Sequence, residues 1–117
     1  MPDKAVLDLS RLEQAFEDDR DGIAALLEMA LETGAKHRRA LEEGLANGDA
    51  VMVARAAHGI KGSAGNIGAV RVYEIAAELD ERARTGNLDG ADERIRAIDA
   101  AYARVAGEIR EYRIAIS

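Results

Sequence analysis

Residues 91–116 read ADERIRAIDAAYARVAGEIREYRIAI, and within them Ala91, Ile95, Ile98, Tyr102, Val105, Ile109, Tyr112 and Ile116 recur at steps that alternate between four and three. A helix advances about 100° per residue, so this series keeps a single stripe on one side of a long helix. A stripe of that kind is the seam of a helix packed nearly parallel to its neighbours. A strand would need alternation of period two, and no convincing run of it occurs anywhere in the chain.

Upstream of this helix, turn signals bound four more. Thr85-Gly86-Asn87 precedes it and follows a helix over Ala69–Arg84, whose stripe is Val72, Ile75, Ala76, Leu79 and Ala83. Gly68 stops a helix over Ala50–Ile67, which Asp49 caps from within the turn Ala46-Asn47-Gly48-Asp49. Asp18-Asp19 caps a longer helix over Arg20–Gly44, with Ile23, Leu26, Leu27, Ala30, Leu31, Leu41 and Leu45 at helical spacing. Ser10 with Glu13 has the form of a capping box and opens a short segment, Arg11–Phe16. Long amphipathic helices joined by connections this short predict an all-α fold: an antiparallel up-down four-helix bundle with a short additional N-terminal helix. Residues 1–117 are expected to form a single domain.

Composition agrees. Aromatics are only 3% of the 117 residues, so the core must be aliphatic, which suits closely approaching helices better than a β-sandwich. The one proline, Pro2, interrupts no helix. The net charge of −6 comes with both signs interspersed, which argues against nucleic acid as a main partner because phosphate binding needs a concentrated basic face. The run Lys36-His37-Arg38-Arg39 sits beside Glu42 and Glu43 and reads as a solvated helix face. Without cysteine there are no disulfides or thiolate metal sites. Met1-Pro2-Asp3-Lys4 lacks the apolar run of a signal peptide and no stretch approaches membrane-spanning length, so no membrane association and a cytoplasmic location are expected.

The helix over Ala50–Ile67 departs from plain scaffold in the stretch AHGIKGSAGNIG, residues 57–68. Each interior glycine, Gly59, Gly62 and Gly65, costs about 1 kcal/mol relative to alanine. With Ile60 pointing into the core, His58 lies roughly 160° away, while Arg55, Lys61, Gly62 and Gly65 fall within about 60° of it. The histidine therefore projects outward with cations and bare backbone beside it. Gly59 lies off this face and fits helix–helix packing; Gly62 and Gly65 fit it poorly.

The stretch from His58 to Gly68 resembles the histidine-containing phosphotransfer (HPt) domains of multistep phosphorelays, whose motif is approximately His-x-Leu-Lys-Gly-Ser-Ser/Ala with a further glycine ending the helix. His58, Lys61, Gly62, Ser63 and Gly68 match it, and Ile60 replaces Leu conservatively. Asp8-Leu9 with Leu12, the Gly48-Asp49 turn and Gly86-Asn87-Leu88 have counterparts as well. Gly59 departs from the usual Thr or Ala, and Asp80 stands where many members place Gln or Glu near the histidine ring; Arg84 is a recurring basic position.

The resemblance implies that His58 accepts a phosphoryl group from a receiver-domain aspartate and passes it to another receiver domain, with no kinase activity of its own. A neutral imidazole can attack phosphorus without a separate base. Lys61, one turn on, would offset charge on the phosphoryl oxygens, and Gly62 would leave access for an incoming domain. Asp80 is the candidate acceptor for the other ring nitrogen, with Arg84 in support. Val51, Ala54, Arg55 and Gly65 are expected to meet the partner, with charges at the rim. The chain is expected to bind no metal; Mg2+ would sit on the receiver domain. The implied partners are response regulator receiver domains and a hybrid sensor histidine kinase, met by a monomer.

Two other readings compete. A non-catalytic adaptor could dock through the same face, but docking alone does not require His58 with Lys61 three residues on. The dimerising histidine helix of a sensor kinase would carry an acidic residue after the histidine and a proline one turn later, which Gly59 and the lack of proline beyond Pro2 oppose. Gly65 and Gly68 do not make a phosphate loop, since no strand precedes them and no Gly-Lys-Ser/Thr follows.

Overall fold

The computed structural model describes residues 7–117; the Met1-Pro2-Asp3-Lys4 segment lies outside the described residues. Five helices follow in order, α1 (Ser10–Ala15), α2 (Arg20–Ala46), α3 (Ala50–Ile67), α4 (Val70–Arg84) and α5 (Ala91–Ile116), with no strand among the described residues. The four long helices form an antiparallel ring in which α2 packs on α3, α3 on α4, and α5 closes against both α4 and α2. This is the expected up-down four-helix bundle, with α1 laid against α2.

The core is aliphatic throughout. Ile23, Leu27 and Leu41 of α2, Val53, Ile60 and Ile67 of α3, Val72 and Leu79 of α4, and Ile98, Val105 and Ile109 of α5 are fully buried. Each contributes about 1.5–3 kcal/mol against exposure, which is what drives the amphipathic stripes together. The antiparallel register is visible in pairs placed symmetrically about the turns. Across α2 and α5, Arg38 makes two hydrogen bonds to Asp99 and Arg113 one to Glu28. Across α4 and α5, Arg94 reaches Glu78.

Asp19 and Asp49 cap as expected, accepting at 3.1 Å from the amides of Gly22 and Met52. The capping box at Ser10 does not form. Leu9 occupies the N-cap, and Ser10 Oγ donates at 2.6 Å to Asp8 Oδ1, which also accepts from the Ser10 amide. Those two donors hold the Asp8 carboxyl below the usual carboxylate range. The boundary of α2 also differs: it runs through Gly44 to Ala46 and ends before Gly48, whose φ of 63° makes the turn. Gly68 ends α3 in the left-handed conformation, and a Cβ there would overlap the Asp8 carbonyl oxygen, so the N-terminal segment crosses over the α3–α4 turn at this glycine. The turn leaves Ala69 as the N-cap of α4, one residue later than expected.

At the α2–α5 contact, a Cβ on Gly34 would stand 2.5 Å from the Tyr102 hydroxyl, so the missing side chain makes room for the ring. That hydroxyl is buried with no hydrogen-bond partner, and burial pushes its pKa up to about 12. The unfolded tyrosine ionises near 10. Above that pH the unfolded state releases a proton that the folded state retains, so stability is fully present below pH 10 and falls as pH rises toward 12. Tyr102→Phe is expected to remove about 2 kcal/mol of this alkaline loss, measured as urea unfolding midpoints of both proteins from pH 9 to 12.

Candidate functional site

The site grows out of the way α3 divides its faces. Val53, Ala56, Ala57, Ile60, Ala64 and Ile67 are buried, which turns His58 outward with 63% of its side chain exposed. α4 runs back alongside after only Gly68 and Ala69, so residues equidistant from that turn come together. His58 accordingly meets Asp80, 22 residues on, with His58 Nδ1 at 3.3 Å from Asp80 Oδ2.

Asp80 is the one charged residue that is buried among the described residues. A buried carboxylate is costly unless it is paired and hydrogen-bonded. Arg84, one turn on, supplies the pairing with a two-pronged grip: Nε donates to Oδ1 and Nη2 to Oδ2, both at 2.9 Å. A carboxylate held this way can accept a hydrogen bond from the His58 nitrogen facing it, in the tautomer that carries its proton there. The lone pair is then left on Nε2.

Gly62 has nothing within 4 Å of where a Cβ would stand, so the backbone one turn from His58 is open. Gly65 is exposed too, although the ring of Tyr73 from α4 lies 3.4–3.5 Å from its Cβ position. Lys61 Nζ stands 5.9 Å from the centroid of that same ring. Gly59 has a packing role: a Cβ on it would come 2.5–2.6 Å from atoms of the His37 imidazole on α2. Ser63 points to the same side and donates at 3.3 Å to the Ala30 carbonyl, tying α3 to α2 behind the exposed face.

A shallow depression of about 400 Å³ opens beside the histidine, lined by Val51, Ala54, Arg55, His58, Asp80, Ala83 and Arg84. Val51 is exposed at 62%, and Arg55 is exposed as well. Ala54, also expected to meet the partner, lines this depression but is buried, at 9% exposure. Sequence reasoning also left out Tyr73, and it read His37 only as part of a solvated run. Each stands as far from its turn as the glycine it contacts, His37 and Gly59 about Gly48, Tyr73 and Gly65 about Ala69, so register was the signal that could have found them.

Gly59→Leu is expected to lower stability by about 1–3 kcal/mol, because the His37 ring must leave its place. Urea unfolding of Gly59→Leu alone and together with His37→Ala checks this, with the second change recovering part of the loss.

No group of three or more His, Asp or Glu side chains among the described residues could hold a metal ion. No helix among them is long and apolar enough to cross a membrane.

A four-helix bundle that presents one exposed imidazole, oriented from behind by a carboxylate and flanked by Arg55, Lys61 and Arg84, has the layout of a histidine phosphocarrier. The Hpt domain family model matches residues 25–108, and the chain belongs to that family. Its fold is similar to the crystal structure of histidine-containing phosphotransfer protein B (HptB) from Pseudomonas aeruginosa PAO1, at a TM-score of 0.86 and 30% identity over 95% of this chain and 96% of that one. No curated protein matches the chain. Membership makes this a histidine phosphotransfer protein of two-component signalling, a family of phosphoryl carriers rather than kinases.

Proposed function

We propose that His58 Nε2 accepts a phosphoryl group from the aspartyl phosphate of one receiver domain and delivers it to the aspartate of a second. The observation that carries this reading is the His58–Asp80–Arg84 arrangement, in which an exposed imidazole turns Nδ1 toward a carboxylate gripped by Arg84. In the forward step the Nε2–P bond forms as the acyl phosphate P–O bond breaks, and the aspartate leaves as a carboxylate. Nδ1 keeps its proton, so the phosphorylated ring bears a positive charge that faces Asp80. That charge keeps the imidazole a good leaving group for the return transfer.

Lys61 and Arg55 lie on the same face as His58 and offset charge on the phosphoryl oxygens. Gly62 leaves the approach clear, and Val51 and Gly65, about two turns to either side of His58, give the partner small, apolar contacts. Mg2+ belongs to the receiver domain in this scheme. The upstream phosphoryl source is a hybrid sensor histidine kinase; because its phosphoryl group originates from ATP, the exchange is assigned to the cytoplasm. The chain acts as a monomer in this reading, since Ile95, Ile98, Val105 and Ile109 of the α5 stripe are buried inside the bundle.

The test is transfer of labelled phosphate from a panel of phosphorylated receiver domains, followed by a chase with unlabelled receivers. Acid-labile label that enters the chain and leaves again on the chase is expected. A folded chain that binds a receiver but never takes label would make it an adaptor.

A further inference from the structure

We infer that Tyr73 is a positioning residue that holds the Lys61 ammonium away from His58 until a phosphoryl group is present there; this rests on the reading of His58 as phosphoacceptor. Lys61 has His58 three residues before it and Gly65 four residues after it, so one flexible stem serves either neighbour. Helical side chains lean toward the N-terminus of their helix, which for Lys61 means toward His58. The ammonium instead stands 5.9 Å from the centroid of the Tyr73 ring. That ring lies at the level of Gly65, about two turns beyond His58, where the missing side chain lets it come within 3.4 Å of the Cβ position.

The restraint suits a switchable contact. Tyr73 is 41% exposed, and a cation–π contact at an exposed position biases the lysine only about two- to five-fold. A dianionic phosphoryl group one turn away makes charge-assisted hydrogen bonds stronger than that bias. Lys61 therefore exchanges between ring and phosphoryl group, and the ring lowers the stability of the phosphohistidine by competing for the amine. The competition keeps the phosphoryl group from resting too deeply on the carrier, and so favours its onward transfer.

Phosphoimidazole is the probe, since exchange of an N–P bond for an N–P bond needs no receiver. At a fixed ratio of phosphoimidazole to imidazole, the phosphorylated fraction of Tyr73→Ala is expected to correspond to an equilibrium constant two- to five-fold above wild type. Tyr73→Phe, which keeps the ring, should match wild type, and in a Lys61→Ala background Tyr73→Ala should change nothing. An unchanged constant in Tyr73→Ala, or the same increase without Lys61, while wild type still charges on His58, overturns the role of Tyr73. Failure of the folded wild type to charge at all overturns the phosphoacceptor reading beneath it.

Discussion

His58→Gln is expected to abolish phosphorylation from every receiver donor while leaving the bundle folded. The imidazole sits 63% exposed and contributes nothing to the aliphatic core, so its replacement creates no cavity. Asp80 keeps both hydrogen bonds from Arg84, and the glutamine amide can donate toward it in place of Nδ1. Surface changes of this kind stay within about 0.5 kcal/mol, a melting shift of no more than about 4 °C for a domain of this size. Circular dichroism and thermal melting follow the fold, and label uptake follows the function. Unfolding of the variant would contradict the exposed placement of the ring, and continued uptake of acid-labile label would put the phosphoryl group on another residue.

Gly62→Leu is expected to separate docking from chemistry. Nothing lies within 4 Å of the Cβ position, so the added side chain strains nothing, and the exposed helix gains about 0.5–1 kcal/mol from losing a glycine. The same side chain stands beside His58 on the face a receiver must cover. Transfer from a phosphorylated receiver should fall by about two orders of magnitude or more, because in-line approach over roughly 3 Å tolerates little displacement. Charging by phosphoimidazole, which needs no docked domain, should proceed as in wild type. Receiver transfer at the normal rate in this variant would show that Gly62 does not provide the access assigned to it.

Much of this arrangement is legible in the sequence. The alternating steps of residues 91–116 are a property of one helix, and Ile95, Ile98, Val105 and Ile109 are buried as that pattern demands. The two aspartate caps and the outward phase of His58 are equally local. The misreadings came where a second segment intervenes. Ser10 bonds to Asp8 rather than closing a capping box, because Asp8 is itself fixed over Gly68 by the crossing N-terminal segment. Gly59 departs from the family pattern and fits helix–helix packing by its phase, but the group that needs the space, the His37 ring, lies on another helix. Asp80 is reachable by counting on from the α3–α4 turn, whereas the grip of Arg84 on both of its oxygens depends on the geometry of both side chains.

The most direct measurement is to charge the wild-type chain from a phosphorylated receiver domain and locate the phosphoryl group by fragmentation mass spectrometry at neutral to alkaline pH. The chain has only two histidines, so the outcome is discrete. Phosphate on His58, absent from His37 and lost on acidification, is the result this account predicts. Phosphate on His37, on an acid-stable residue, or nowhere on a folded chain would contradict it.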